Sequence, residues 1–281
     1  MSPLITATEL LVQIDQPELL LFDCRHDLAD PKAGRQAYEA GHLPGAYFLH
    51  LDDDLSGLKT GDNGRHPLPD PKALAQRLAA SGLAADRRVV AYDAQGGMYA
   101  ARLWWLLRWL GFDSVQVLDG GVAAWQAAGG ALTQTVPAVR AGSFDARVHK
   151  AWTVDVSTVL DNLDRQEFTV IDARAPGRFA GEGETIDPVA GHIPGARNRF
   201  FQANLAADGR FKPAATLREE WQAILAGTDV HDTVQQCGSG VTACHNLLAL
   251  EVAGLKGSRL YPGSWSEWCS DPGRPTARGA E

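Results

Sequence analysis

The chain has 281 residues, of which 45% are hydrophobic and 21% charged, and its formal net charge is −8. This length allows two domains of ordinary size or one large one. The negative charge argues against a general nucleic-acid surface and against binding to an anionic membrane, although a local basic pocket remains compatible with it.

The first half alternates short helix and strand signals. A helix is predicted at 6–13, where Thr6 and Glu9 make a capping box. Another is predicted at 71–82, where Asp70 precedes a first-turn proline. Short apolar or β-branched runs predict buried strands at LLLFD (19–23), RVVAYD (88–93) and SVQVLD (114–119).

The second half shows the same alternation, after a weakly periodic segment at 133–150 that is predicted to be a linker with a strand-like end. The predicted helices are LREEWQAIL (217–225) and VTACHNLLALEVAG (241–254). The predicted strands are FTVID (168–172), TVQQC (233–237) and SRLY (258–261). Strands that alternate with helices imply a mostly parallel sheet flanked by helices.

The two halves repeat one another at a nearly constant, domain-sized offset. AGHLPGA (40–46) in the first half matches AGHIPGA (190–196) in the second. Such a period indicates a tandem duplication and excludes a solenoid. We therefore expect an α/β protein with one domain at 1–132, a linker at 133–150 and a second domain at 151–281. The Asp-x-Arg pairs at Asp23 and Asp172 recur in both halves and are predicted to be structural.

The copies differ at one loop. The second half reads CGSGVT at 237–242, whereas the first reads DAQGGM at 93–98 and has no thiol. Each loop follows a predicted strand and precedes a helix, which is where open α/β sheets bind ligands. The difference predicts one working site in the second domain and a degenerate partner in the first.

The composition of the second loop favours an anionic sulfur. A cysteine is nucleophilic as its thiolate, and backbone N–H groups at a helix N-terminus stabilise that anion. Two glycines let successive amides turn inward to hold an anion. The alternative is that Cys237 is a small buried apolar residue. A phosphatase loop would need Cys-x5-Arg and has Ala243 instead, while Cys237, Cys244 and His245 lack a second pair that would complete a metal site.

The duplicated halves, the GHLPGA and GHIPGA motifs and the loop CGSGVTAC resemble the two-domain rhodanese-type sulfurtransferases over about residues 5–270. Within that family the loop is similar to that of the 3-mercaptopyruvate sulfurtransferases. Thiosulfate-preferring rhodaneses instead carry basic residues just after the cysteine. The resemblance implies two rhodanese-like domains, a first one without a catalytic cysteine and a catalytic second one.

The resemblance further implies sulfur transfer through a persulfide on Cys237. Its thiolate would attack the sulfur of 3-mercaptopyruvate and release pyruvate, and a thiol such as thioredoxin or glutathione, or cyanide, would then take the sulfur. Because the persulfide carries the sulfur, we expect no metal and no organic cofactor. The loop residues expected to stabilise the sulfur anions through their amides are Gly238, Ser239, Gly240, Val241 and Thr242.

Further roles follow from the same resemblance. Arg178 occupies the position of the family's substrate-binding arginine, whose planar fork suits a carboxylate. Ser239 would protonate the departing enolate, with His66 and Asp52 behind it. Mammalian-type relatives carry a second arginine where this chain has Asp187, and we consider Arg197 and Arg199 as replacements.

Other functions remain open from sequence. One is a sulfurtransferase of the same fold that uses thiosulfate, and another is a non-catalytic sulfur-carrier or regulatory binding module. A phosphatase or arsenate reductase is disfavoured by the missing loop arginine. The four cysteines form no CxxC and no dense framework, which predicts free thiols in a reducing compartment, the cytoplasm. No window approaches the roughly 18 apolar residues of a membrane span.

Overall fold

A computed structural model describes residues 2–138 and 141–279. The chain divides into two compact units, the first made of 1–57, 69–149 and 207–211, and the second of 58–68, 150–206 and 212–281. The short segment 58–68 comes from the first half of the sequence but belongs to the second unit. The limits 1–132, 133–150 and 151–281 remain sequence-based predictions.

The first unit is built on a five-stranded sheet in which every pairing is parallel. Its strands are β1 (Leu4–Ile5), β2 (Leu19–Asp23), β3 (Ala46–Phe48), β4 (Arg88–Tyr92) and β5 (Val115–Leu118). They lie in the order β1-β5-β4-β2-β3. The helices of this unit are α1 (Ala7–Gln13), α2 (Ala33–Ala40), α3 (Pro71–Ala80), α4 (Ala100–Trp109) and α5 (Gly121–Ala127).

The second unit is built on a four-stranded sheet, again parallel throughout. Its strands are β6 (Thr169–Asp172), β7 (Arg197–Asn198), β8 (Thr233–Gln236) and β9 (Arg259–Leu260), in the order β7-β6-β8-β9. Its helices are α6 (Val156–Arg165), α7 (Pro176–Ala180), α8 (Ala214–Leu225), α9 (Thr242–Val252) and α10 (Ser264–Trp268). The duplicated parallel α/β architecture predicted from sequence is thus confirmed.

The central residues of the predicted strands and helices lie within the observed elements. All six predicted strands are present, and α1 begins with the expected capping box, in which Thr6 accepts from the Glu9 amide and Glu9 bonds back to Thr6. The side chain of Asp70 caps α3 through the Ala73 amide at 2.8 Å. The strand-like end predicted for the linker is wrong, because residues 141–149 form no regular element and Lys150–Trp152 form a 3₁₀ turn.

Each unit has its own apolar core beneath its sheet. In the first, Leu10, Val90 and Trp125 are buried in one cluster. In the second, Val159, Val234 and Trp265 are buried in the corresponding place. Strands buried on both faces leave only their ends and the following loops for chemistry. No helix in the described part of the chain is long and apolar enough to cross a membrane.

An ion pair at the end of β2 in the first unit recurs at the end of β6 in the second. The Arg25 guanidinium binds both carboxylate oxygens of Asp23 and donates to the Gly41 carbonyl at 2.8 Å. In the second unit, Arg174 binds Asp172 and donates to the Gly191 carbonyl at 2.7 Å. The arginine therefore fastens the strand end to the glycine that opens each AGHxPGA turn.

The histidine of each AGHxPGA turn is also structural. His42 stacks on Tyr38 with ring centroids 3.8 Å apart, and its Nδ1 lies 2.8 Å from the Tyr38 carbonyl oxygen. His192 stacks on Phe179 at the same centroid distance and bonds to the Phe179 carbonyl. Both rings are fully buried, so the recurrence of these histidines reflects folding of the turn.

The buried ion pairs predict a specific stability loss. Arg174→Ala leaves the Asp172 carboxylate buried without its charge partner, which we expect to lower the free energy of unfolding by about 3–5 kcal/mol. The matched control is Arg165→Ala, whose partner Asp161 forms an exposed pair on α6 and whose loss should cost less than about 1 kcal/mol. Urea denaturation of both variants checks this, and equal losses would contradict a structural role for the buried pair.

Candidate active site

Cys237 lies between the end of β8 and the start of α9, the point predicted for the site. Its Sγ accepts hydrogen bonds from the backbone amides of Ser239 at 3.5 Å and Gly240 at 3.2 Å. The residue is only 2% exposed. Burial alone would also fit a core cysteine, but amide donors aimed at the sulfur favour an anion there.

Gly238 and Gly240 are each required to be glycine, but for different structural reasons. Gly240 has a φ of +78°, and a Cβ on it would stand 2.3 Å from the Pro262 carbonyl oxygen. Gly238 has no positive φ, but a Cβ there would stand 2.9 Å from Arg65 Nη2. The first glycine position leaves room for guanidinium groups and the second permits the turn that brings an amide onto the sulfur.

Ser264, which was not among the predicted site residues, supports the loop on the side away from α9 through the Cys237 amide. Its hydroxyl accepts from the Cys237 amide at 3.1 Å and donates to the Tyr261 carbonyl at 2.9 Å. It is fully buried with a φ of +54°, a conformation that costs a non-glycine residue about 1 kcal/mol or more. The first unit has Gly121 at the matching position, with a φ of +56°. The replacement of this glycine by serine in the second copy is therefore a difference in the sequence that could have indicated Ser264.

Ser239 and His66 meet within the second unit. The Ser239 Oγ lies 2.7 Å from His66 Nδ1, and which atom donates depends on the tautomer of the ring. The side chains are buried, with 7% of Ser239 and 4% of His66 exposed. His66 reaches this place because segment 58–68 belongs to the second unit. The structure therefore brings together the two residues expected to handle the proton, whose roles remain predictions.

Asp52, the third member of that expected group, lies in the first unit. Its carboxylate is 4.0 Å from His26 Nε2. Together with His50, these residues form a group whose ligand atoms lie within 4.8 Å of one another. Both ring nitrogens of His50 contact backbone groups, Nε2 at 2.9 Å from the Pro31 carbonyl oxygen and Nδ1 at 3.3 Å from the Asp53 amide nitrogen. The expectation of no metal remains a prediction.

Arg178 projects from α7 towards the cysteine loop. Its Nη1 and Nη2 lie 3.7 and 3.8 Å from the position that a Cβ on Gly238 would occupy. Nε and Nη2 bind Glu184 at 2.9 Å each, and Nη2 also binds Asp187 at 3.0 Å. Burial opposes ionisation of Glu184, but hydrogen bonds from Arg178 and two backbone amides hold its pKa below the usual value. These carboxylates fix the direction of the guanidinium.

The two arginines considered as replacements for the family's second arginine are engaged elsewhere. Arg197 donates to the carbonyls of Ile224 and Leu225, at 3.0 and 2.6 Å. Arg199 pairs with Glu220 at 2.6 Å. These bonds hold both groups against α8 instead of directing them to the cysteine loop.

The remaining loop residues form the beginning of α9. Val241 is its N-cap residue and Thr242 its first residue. The carbonyl of Gly238 accepts from the Ser266 amide at 2.9 Å, so that residue's oxygen is directed away from the sulfur. Stabilisation of a persulfide by the Val241 and Thr242 amides remains a prediction.

The corresponding loop of the first unit holds an anion of its own. The Asp93 carboxylate follows β4 as Cys237 follows β8, and one oxygen accepts from the amides of Gln95 and Gly97 at 2.9 Å each. Its other oxygen accepts from the amides of Tyr99 and Ala100 at 2.8 and 2.9 Å. This loop therefore also directs backbone amides onto an acidic side chain, and a carboxylate cannot carry sulfur, which supports the prediction that this copy is degenerate.

Comparison with known proteins agrees with this geometry. The rhodanese-like domain family matches residues 6–128 and 155–271. A relative from Pseudomonas aeruginosa, provisionally named a 3-mercaptopyruvate sulfurtransferase, is 50% identical over 280 residues and covers 99% of both chains. One from Mycobacterium tuberculosis, provisionally named a thiosulfate sulfurtransferase, is 40% identical over 98% of this chain and 97% of its own.

A solved structure extends the similarity to the fold. The 3-mercaptopyruvate sulfurtransferase from Leishmania major superposes with a TM-score of 0.84 at 29% identity, over 95% of this chain and 75% of its own. The family match and the identities together place the chain in the rhodanese family, with two rhodanese-like domains. The resemblance inferred from CGSGVT and the duplicated turns is confirmed.

The loop geometry predicts a sharp effect of Gly240→Ala. A Cβ at this position meets the Pro262 carbonyl oxygen, so the loop must shift and the Gly240 amide leaves the sulfur. We expect alkylation of Cys237 by iodoacetamide to slow about tenfold or more, because the sulfur loses one of its two backbone amide donors. The control is Gly227→Ala, which has a φ of +85° and no neighbour within 4 Å. Equal rates in the two variants would contradict a role of the amide.

Proposed function

We propose that the chain moves sulfane sulfur from 3-mercaptopyruvate to a thiol or to cyanide through a persulfide on Cys237 and releases pyruvate. The observation that carries the proposal is the combination, at one loop, of two amides on the Cys237 sulfur and the Arg178 guanidinium beside Gly238. The amides suit an anionic sulfur, and the guanidinium suits the carboxylate of a 2-oxo acid.

The first half-reaction forms one S–S bond and breaks one C–S bond. The Cys237 thiolate attacks the sulfur of mercaptopyruvate, and the electron pair of the C–S bond passes to the organic fragment as the enolate of pyruvate. A proton then completes pyruvate. Ser239 stands 2.7 Å from His66 Nδ1, so the hydroxyl can give its proton to the enolate carbon and regain one from the ring. Asp52 enters this relay on the family resemblance alone.

The second half-reaction returns the cysteine. A nucleophilic acceptor attacks the outer sulfur of the persulfide, the S–S bond breaks, and the Cys237 thiolate leaves with its electron pair. A thiol acceptor becomes a persulfide, and cyanide becomes thiocyanate. The amides of Ser239 and Gly240 stabilise the leaving thiolate. Two separate half-reactions through one covalent intermediate give ping-pong kinetics.

The acceptor and the compartment follow from the same chemistry. All four cysteines of the chain are free thiols, which suits a reducing compartment, and we assign the activity to the cytoplasm. Small thiols such as glutathione and protein thiols such as thioredoxin are abundant in such a compartment. Their common feature is a thiolate that can attack the outer sulfur of the persulfide.

The rival donor is thiosulfate, which one relative's provisional name supports. Thiosulfate is a compact dianion, whereas mercaptopyruvate carries a single carboxylate. The residue after the cysteine is glycine, so the loop brings no cation of its own. This favours the donor with the smaller charge.

The proposal predicts which donor works and which residues it needs. Sulfur transfer to cyanide, measured as thiocyanate, should be faster from mercaptopyruvate than from thiosulfate at matched concentration, and mercaptopyruvate should release one pyruvate per sulfur. Cys237→Ser should abolish both, and Ser239→Ala should lower kcat by about 10²–10⁴-fold because the enolate loses its proton donor. The matched control is Cys24→Ser, another buried cysteine, in the first unit. Activity that survives in Cys237→Ser would refute the persulfide, and faster turnover of thiosulfate would reverse the donor assignment.

A further inference from the structure

Two histidines and a carboxylate lie close together in the first unit, in a group that the proposed sulfur transfer does not explain. His26, His50 and Asp52 each offer one ligand atom, and these atoms all lie within 4.8 Å of one another. Both imidazole side chains are buried, whereas 25% of the Asp52 side chain is exposed. Two imidazoles and a carboxylate are a donor set that suits a divalent transition metal such as zinc.

The group lies at the edge of the first sheet where ligands are expected. His26 is in the loop after β2, and His50 and Asp52 are in the segment after β3. These strands are parallel neighbours, so their carboxyl ends meet at the edge where open α/β sheets bind ligands. The loop at 93–98, the counterpart of the cysteine loop, borders the group, since the Gln95 side chain donates to the His26 carbonyl at 3.1 Å.

The second copy has no such group. The Asp-x-Arg pair and the backbone bond to the carbonyl of its aspartate align the two units in this region. The matching positions hold neither an imidazole nor a carboxylate: they are Ala175 for His26, Phe200 for His50 and Gln202 for Asp52. The shared fold therefore does not require the group, and its presence in the first copy alone indicates a specialised role.

The hydrogen bonds of His50 fix the tautomer of its ring. Nε2 lies 2.9 Å from the Pro31 carbonyl oxygen, which can only accept, so Nε2 carries the proton. Nδ1 lies 3.3 Å from the Asp53 amide nitrogen, which can only donate, so Nδ1 presents a lone pair. A ring N–H held by a backbone carbonyl, with the lone pair on the other nitrogen, is the arrangement that orients metal-binding histidines.

A second carboxylate faces the same lone pair. Asp53 Oδ2 lies 3.3 Å from His50 Nδ1, and two acceptor atoms so close repel one another unless a cation lies between them. Neighbouring ligand atoms of a tetrahedral zinc site are about 3.3–3.5 Å apart, which matches this separation. The amide contact to Nδ1 is longer than the usual hydrogen bond of about 2.7–3.2 Å, so an ion can replace it.

We propose that the first unit binds a divalent transition metal ion of the zinc type through His26 Nε2, His50 Nδ1 and the Asp52 carboxylate, with Asp53 as the fourth ligand. Two neutral imidazoles and two carboxylates balance the charge of such an ion. The widest ligand separations must shorten by about 1 Å when it binds. The ion joins the loops that follow β2 and β3.

The inference does not rest on the proposed function, because persulfide chemistry on Cys237 needs no metal. Asp52 is the one member of the group to which the family resemblance also assigns a place in the proton relay. Its carboxylate cannot do both at once, so an ion bound here withdraws Asp52 from the relay.

The test is titration of the full, reduced chain with Zn²⁺ in competition with a chromophoric chelator. We expect one ion per chain at micromolar zinc. His26→Gln and His50→Gln each remove a ligand and should weaken zinc affinity by about 100-fold or more, since loss of an outer-shell partner alone costs about 10- to 100-fold. The control is His149→Gln, an exposed histidine of the same unit, which should match wild type.

Two further measurements keep the outcome decisive. Asp52→Asn, at a partly exposed side chain, should weaken affinity about tenfold or more, and it carries the test if the histidine variants do not fold. Co²⁺ in place of Zn²⁺ reports the ligand type, because thiolate ligands add an intense near-ultraviolet charge-transfer band that imidazole and carboxylate ligands lack. Failure of the wild-type chain to bind zinc, equal affinity in His50→Gln and Asp52→Asn and wild type, or a thiolate band with cobalt would each overturn the inference.

Discussion

In each unit, the turn between a central strand and the following helix directs backbone amides onto one side chain, and neighbouring residues hold the turn in that shape. In the second unit the Cys237 sulfur receives the amides of Ser239 and Gly240. Gly240 makes this turn possible, and Ser264 holds the cysteine amide from behind at the cost of a strained backbone. Backbone strain of this kind persists where the surrounding structure fixes it, often at functional sites.

In the first unit the same turn carries a carboxylate where the second unit carries a thiol. Asp93 satisfies four backbone amides with its own carboxylate, so the loop keeps its shape without a nucleophile. Elsewhere the two copies share their scaffold, including the buried pairs Asp23–Arg25 and Asp172–Arg174. Features present in both copies therefore report on folding, and those present in one report on function. The duplication thus distinguishes structural residues from candidate functional residues.

The sequence predicted the fold, and it predicted that the Cys237 loop follows a strand, because both depend on local patterns. Short apolar runs such as LLLFD mark buried strands, and a cysteine in a glycine-rich turn marks an anion site. The position of Arg65 beside Gly238 could not be predicted in this way, because it depends on segment 58–68 belonging to the second unit. Ser264 was not predicted, although it occupies the position of Gly121 in the first copy, because only the structure shows the positive φ that the two residues share. Contacts set by chain folding over long separations need the structure.

The most direct test of this account is the mass of the intact chain after brief exposure to mercaptopyruvate without an acceptor. The account predicts that one sulfur atom is added per chain, that peptide mapping places it on Cys237, and that one pyruvate is released for each sulfur bound. Sulfur found instead on Cys24, Cys244 or Cys269, or pyruvate released with no sulfur bound to the protein, would contradict it.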